Sequence, residues 1–306
     1  MVDPGPSRCG YVAVLGAPNS GKSTLVNSLV GSKVSIVTPK VQTTRTRVLG
    51  IALKGPSQIV YVDTPGIFAP KRRLERAMVK AAWQGAADAD EIVVLVDAAA
   101  AGAHGTVGHD TVLILEGLKG AGRSAILVLN KIDLVDKGRL LGLSQALNRG
   151  GTFSATFMIS ALNGEGVADL ERHLAALMPE GPWLYPEDQL ADIPLRLMAA
   201  ETTRETLFLA LHQELPYAAT VETEGWEEFR DGSVKIAQVI YVQRDSQKAI
   251  VLGKGGRQIK AIRESSSAEL EQLLGRRVHL FLFVKVREDW TEDPERYRAI
   301  GLDYER

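Results

Sequence analysis

From residue 11 to about residue 178 the chain alternates short, nearly continuous apolar runs with segments whose apolar residues recur at helical spacing. The runs 11–15, 47–53, 58–62, 91–96, 125–129 and 153–159 read as strands. Several are apolar almost throughout, the pattern of a strand covered by helices on both faces. The alternation predicts an α/β domain, doubly wound around a mostly parallel sheet, with ligands at the carboxyl ends of the strands. The pattern breaks at Pro179-Glu180-Gly181-Pro182, and with Pro186 and Pro194 this stretch interrupts helix and sheet alike, so 179–194 reads as a linker. Beyond it the pattern gives a helix over 195–213, strands over 218–223 and 233–243, two helical segments joined by a glycine-rich turn, and a last strand over 278–286. The expected organisation is an extension over 1–10, an α/β domain over 11–178, the linker, and an α+β domain over 195–306 with its core at 234–287.

Composition adds mainly exclusions. At 306 residues the chain is long enough for about two domains that each bury a core without staples. Its 36 basic and 37 acidic side chains nearly cancel, so affinity for a polyanion has to come from a local patch. The single cysteine, Cys9, excludes an intramolecular disulfide and a multi-cysteine zinc site; it agrees with a reducing cytoplasm and reads as an inert residue. The histidines, His104 and His109 among them, lack metal-ligand spacing, and Trp83, Trp183, Trp226 and Trp290 read as packing residues. The N-terminus lacks a basic segment followed by an apolar one, and the most apolar window, 92–101, is short and carries Asp97; neither export nor a membrane span is expected.

The chemistry falls at the predicted strand ends. Gly16-Ala17-Pro18-Asn19-Ser20-Gly21-Lys22-Ser23-Thr24 joins the first strand to a helix and reads as a phosphate-binding loop. Its glycines let backbone N–H groups face an anion, Lys22 reaches the outer phosphates, and the Ser23 hydroxyl suits a shared Mg²⁺. The polar loop 31–46 offers a threonine, Thr44 in preference to Thr43, to complete the Mg²⁺ shell and sense the outermost phosphate. Asp63-Thr64-Pro65-Gly66 ends the third strand, where Asp63 suits a Mg²⁺-bound water and the Gly66 N–H suits the same phosphate. Asn130-Lys131-Ile132-Asp133 ends the fifth. Guanine presents N1–H and an exocyclic amine that one carboxylate accepts together, and adenine does not, so Asp133 selects guanine. Asn130 braces the loops, the Lys131 stem covers the base, and Ser160-Ala161-Leu162 brings the Ala161 N–H to the guanine O6.

These five elements, in this order, resemble the translation-factor-like class of P-loop GTPases over residues 11–178. The resemblance implies in-line attack of water on the γ-phosphate, with catalysis by positioning and electrostatics. Lys22, Asn19, Thr44 and Gly66 are its expected catalytic residues. Ile67 stands where many regulatory GTPases carry a water-orienting glutamine, which places the chain with the hydrophobic-substituted GTPases. In relatives with an asparagine at the position of Asn19, that residue holds a K⁺ against the phosphates, so K⁺ is an expected activator here.

In the second half, Gly253-Lys254-Gly255-Gly256 between helical segments permits close approach of a nucleic-acid backbone, with Lys254, Arg257 and Lys260 to meet phosphates. This resembles a KH domain of the bacterial type (type II). The missing Lys-Ser/Thr pair argues against a second nucleotide site. Residues 234–287 carry 11 basic against 4 acidic side chains, whereas 182–306 as a whole carry 17 against 22. That segregation favours single-stranded RNA rather than DNA. The acidic flanks 222–231 and 288–295 read as solvated loops.

One GTPase domain followed by one KH-like domain resembles the Era family over nearly the whole chain. The resemblance implies GTP/GDP and Mg²⁺ as cofactors and 16S ribosomal RNA near its 3′ end, with the small ribosomal subunit, as partner. It also implies a cytoplasmic monomer whose RNA binding is switched by GTP. A signalling GTPase in peripheral membrane contact and an RNA-binding module with a non-catalytic pocket are the alternatives. A double-GTPase ribosome factor is excluded by the single phosphate loop and single Asn-Lys-x-Asp.

Overall fold

The computed structural model of the chain describes residues 6–104, 107–149, 153–211, 215–288 and 290–304. They form two units, one running to Asp192 and taking in the residues from Gly301 on, the other spanning Ile193–Ile300. The first contains strands β1 (Arg8–Gly16), β2 (Val48–Lys54), β3 (Ser57–Asp63), β4 (Glu91–Asp97), β5 (Ala125–Asn130), β6 (Phe153–Met158) and β7 (Ala191–Asp192). Its helices are α1 (Lys22–Val30), α2 (Arg73–Asp88), α3 (Ala98–His104), α4 (His109–Gly120), α5 (Lys137–Asn148) and α6 (Val167–Leu177). The sheet order is β6-β5-β4-β1-β3-β2-β7. Its pairs are parallel from β6 to β3, and β2 is antiparallel to both its neighbours.

The apolar runs explain the layering. Along β1, Val12 and Val14 join a core with Leu25 and Val26 of α1 and Leu170 and Leu174 of α6. Ala13 and Leu15 point the other way, into a core with Ala82 and Ala86 of α2 and Ile114 and Leu118 of α4. A strand buried on both faces needs no alternation, so β1, β3, β4 and β5 read as continuous apolar segments. The order reverses at β1, with β4 on one side and β3 on the other, and that switch point opens a crevice at the strand carboxyl ends.

The proline-rich stretch after α6 is laid along the first unit. The buried Gln58 of β3 accepts the Leu184 and Tyr185 N–H groups at 2.9 and 3.0 Å and donates to the Tyr185 carbonyl at 2.8 Å. The Trp183 indole donates to the Pro56 carbonyl, and Ile51 of β2 donates to the Leu190 carbonyl, leading into β7. Near the C-terminus, Asp303 meets Lys80 and Gln84 of α2, and Tyr304 receives a hydrogen bond from Arg73.

The second unit holds helix α7 (Leu195–Ala210), strands β8 (Thr220–Glu228) and β9 (Val234–Val242), helices α8 (Asp245–Leu252) and α9 (Arg257–Leu274), strand β10 (Val278–Val286) and helix α10 (Pro294–Ala299). The sheet order is β10-β9-β8, with β10 parallel and β8 antiparallel to the central strand. The expectation that 222–231 and 288–295 are solvated loops is corrected for 222–228 and for 294–295, while 229–231 form an exposed turn. Glu222, Glu224, Glu227 and Glu228 lie in β8, and α10 begins at Pro294. The glutamates are held by basic partners: Arg296 for Glu222, Lys285 for Glu224, Lys235 for Glu227 and Arg276 for Glu228. Basic partners on β9, on β10, just before β10 and on α10, which a run of one sign conceals, allow an acidic segment to be a strand.

Candidate functional site

The loop between β1 and α1 is built around Gly21, whose φ of 98° lies in the left-handed region and whose missing Cβ would fall 2.3 Å from Asn130 Nδ2. No other residue type fits there. Lys22 is buried; its ammonium donates to the Gly16 and Ala17 carbonyls at 3.1 and 2.9 Å and so closes the loop from below. Burial lowers its pKa to about 8 against an opposing pull from Asp63. Ser23 Oγ donates to Asp63 Oδ2 at 2.7 Å and stands 2.8 Å from Thr44 Oγ1, which is itself 3.3 Å from the same carboxylate oxygen. Three residues from three elements thus converge on one point.

Thr43 turns elsewhere: its hydroxyl lies 2.6 Å from Thr38 Oγ1 and donates to the Lys40 carbonyl at 2.7 Å. Asp63 is fully buried, its Oδ1 has no hydrogen-bond partner, and burial holds its carboxyl above the ordinary range. A buried oxygen left without a partner beside two converging hydroxyls is a donor set of the hard, all-oxygen kind that Mg²⁺ takes. The residues present fit that ion.

Asn130 ties the loops together, donating to the Ser20 carbonyl at 2.8 Å and accepting the Ala161 N–H at 2.9 Å. Lys131 donates to the Asn19 carbonyl at 2.9 Å. Thr64 points inward, to the Val14 carbonyl. Ile67, 2 % exposed, sits in the core of β1 and β4, its N–H on the Gly16 carbonyl.

A cleft of about 570 Å³ gathers these elements, lined by Pro18, Asn19, Gly21 to Thr24, Thr44, Gly66, Asn130, Lys131, Asp133 and Ser160 to Leu162. Gly16, Ala17, Ser20, Asp63, Thr64 and Pro65 stand behind this lining rather than on it. The sequence reading missed Val37, Thr38, Pro39, Lys40, Gln42 and Leu134, which complete the walls. They carry no motif; only their place between two motifs on the loop 31–46, or beside Asp133, signals them.

In the second unit Gly253–Gly256 joins α8 to α9, with Gly255 and Gly256 at φ 62° and 76°. Lys254, Arg257 and Lys260 are exposed around it. Gln258 anchors the start of α9 by donating to the Ala210 carbonyl at 3.1 Å. Among the described residues no helix is long and apolar enough to cross a membrane.

A phosphate loop, a buried hydroxyl and carboxylate cluster and an asparagine-braced base loop at one switch point define a P-loop GTPase domain, here joined to a KH fold. Family models agree, a 50S ribosome-binding GTPase over residues 11–131 and a KH domain over 214–291. The GTPase Era of Brucella suis is 60% identical over 298 residues, covering 97% of this chain and 94% of its own. That of Rhizobium meliloti is 60% identical over 299 residues, covering 98% and 94%. A crystal structure of Era with MgGDPNP and nucleotides 1506–1542 of 16S ribosomal RNA superposes with a TM-score of 0.90 at 37% identity, covering 96% of this chain and 99% of that one. A variant of Aquifex aeolicus Era bound to GDP and aluminium fluoride gives 0.89 at 38% identity, with the same coverage. The chain belongs to the Era family of GTPases.

Proposed function

We propose that this GTPase binds the 3′ region of 16S ribosomal RNA through its KH domain and assists assembly of the small ribosomal subunit, with GTP setting the RNA-competent state. The observation that carries this is the Era structure matched almost end to end, which holds both MgGDPNP and that RNA. In this chain Gly253–Gly256 would approach the RNA backbone, and Lys254, Arg257 and Lys260 would meet its phosphates. Asp133 would accept from the guanine N1–H and amine, Asn130 would brace the surrounding loops, and the Ala161 N–H, which here donates to Asn130 Oδ1, would turn to the guanine O6.

Ser23, Thr44 and Asp63 would hold Mg²⁺, Asp63 through water, and that ion supplies positive charge between the outer phosphates. Lys22 would release its two carbonyls and turn to the outer phosphates, and Gly66 would offer its N–H to the γ-phosphate. Ile67, pointing into the core, leaves water orientation to other groups. Asn19 stands where K⁺ would add positive charge, and its φ of 62° supports a special role. The loops 31–46 and 64–73 would change with the γ-phosphate, and the segment tied to β2 and β3 would carry that change toward the KH domain.

The test is RNA affinity for a 16S 3′-end oligonucleotide at matched salt, with GDP and with a non-hydrolysable GTP analogue. Tighter binding with the analogue is expected, and equal affinity overturns the switch. Turnover should respond to K⁺ over Na⁺ and lose that response in Asn19→Ala; equal turnover in both ions removes the K⁺ assignment.

A further inference from the structure

We propose that Asp97, which belongs to none of the nucleotide motifs, is a positioning residue for guanine binding; this rests on the reading of residues 130–133 as the base-recognising loop. Asp97 ends β4, and in the parallel register it stands beside Asn130 at the end of β5. Its Oδ1 accepts the N–H groups of Ala99 and Ala100, each at 3.0 Å, which fixes its rotamer at the start of α3. Its Oδ2 lies 2.5 Å from Lys131 Nζ, and the same ammonium donates to the Asn19 carbonyl at 2.9 Å. One carboxylate thus connects the end of a core strand to the base loop and, through a single lysine, to the phosphate loop.

Two strained positions lie along this chain of contacts. Lys131 and Asn19 hold φ values of 64° and 62°, in the left-handed region that side chains other than glycine rarely adopt. Such conformations persist where surrounding contacts over-determine them. A free lysine carries a flexible four-carbon stem with many rotamers, and freezing it when the base arrives would cost affinity. Asp97 freezes it beforehand. The stem is drawn across the cleft with both ends tied, so the wall for the base is built before the base binds, which is preorganisation in the ordinary sense. The pairing also occupies the positive charge of Lys131, so that this lysine shapes the base site while Lys22 meets the phosphates.

The pairing has a consequence that capping α3 does not have. Loss of the Asp97 charge should weaken every guanine nucleotide alike, from GMP to GTP, because the effect lies on the base side.

The experiment is a fluorescent-nucleotide titration of the full chain with GMP, GDP and GTP as competitors, for wild type, Asp97→Asn, Lys131→Met and the double variant. Asparagine still caps α3, and methionine keeps the apolar stem while losing both bonds of the ammonium, to Asp97 and to the Asn19 carbonyl. Asp97→Asn is expected to weaken all three nucleotides about tenfold, the size of one charge-assisted hydrogen bond, with an unchanged unfolding midpoint. The double variant is expected to bind as Lys131→Met does. Unchanged affinity in Asp97→Asn, or a full further loss on the Lys131→Met background, overturns the proposal. Failure of both Asp97→Asn and Asp97→Ser to fold would make Asp97 a structural cap and overturn it too. Absence of GDP binding in the wild type would instead remove the underlying reading of the site.

Discussion

The side-chain amide of Gln42 donates a 3.1 Å hydrogen bond to Glu75 Oε1, while Glu75 Oε2 accepts the N–H groups of Lys71 and Arg72 at 2.7 and 3.0 Å. One carboxylate therefore joins the loop carrying Thr44 to the first turn of α2, the helix that follows Gly66. Glu75→Ala should cut both attachments and lower single-turnover GTP hydrolysis about tenfold, the equivalent of one charge-assisted hydrogen bond. GDP affinity should change little, because these loops meet the phosphate that GDP lacks. Glu75→Gln keeps one acceptor oxygen, enough for the Lys71 and Arg72 N–H groups, but turns an NH2 toward the Gln42 amide, so it should restore only part of the rate.

Lys22 makes nucleotide affinity depend on pH. In the free protein burial brings its pKa down to about 8, so it is charged at neutral pH and loses its proton above that value. Phosphate binding needs the ammonium, so GDP affinity should be flat below about pH 8. Above it, affinity should fall by up to about tenfold per pH unit until the lysine of the complex titrates. Titration of fluorescent GDP from neutral to about pH 9.5 reads this directly.

Replacing Asp133 by asparagine exchanges one acceptor oxygen for a donor, which would face the guanine exocyclic amine while the remaining oxygen accepts from N1–H. Asp133→Asn should weaken GDP about a hundredfold or more and bring xanthosine diphosphate into preference, since xanthine offers an acceptor where guanine offers its amine. Competition between the two nucleotides measures it. Unchanged selectivity would remove Asp133 from the base site.

Gly255 and Gly256 have open space around the positions of their missing Cβ atoms, at φ 62° and 76°. Aspartate tolerates that conformation at a cost of about 1–2 kcal/mol per residue. The double change Gly255→Asp and Gly256→Asp should therefore leave the domain folded while setting two carboxylates against an approaching phosphate. RNA affinity at fixed salt should fall more than about tenfold, with GDP affinity unchanged.

The legible parts of the fold were those whose cause is local. Strands buried on both faces announce themselves as apolar runs, and β3 to β6 lie within a residue of those runs at either end. β1 starts earlier than its apolar run because residues 8–10 already pair in parallel with Ser57, Gln58 and Ile59 of β3. The acidic β8 was hidden because most of its partners, Arg276, Lys285 of β10 and Arg296 of α10, lie far away in sequence. In the site, the convergence of Ser23, Thr44 and Asp63 was legible from Ser23 at the start of α1, Asp63 at the end of β3 and Thr44 on the polar loop between them. Asp97 was not: a lone aspartate at the end of an apolar run gains meaning only when β4 and β5 pair in parallel and set it beside Asn130.

β7 is two residues long, and yet it decides where this chain can be cut. A fragment ending at residue 178 would leave the outer rim of β2 with unpaired N–H and C=O groups and strip Gln58 of the backbone groups it binds. Such a rim is a template for a second copy of the same strand. The shorter fragment should self-associate, measurable by its sedimentation, whereas one ending at Asp192 should stay monodisperse. The proline-rich stretch that ends the first unit works as a hem: it seals the sheet against its own kind.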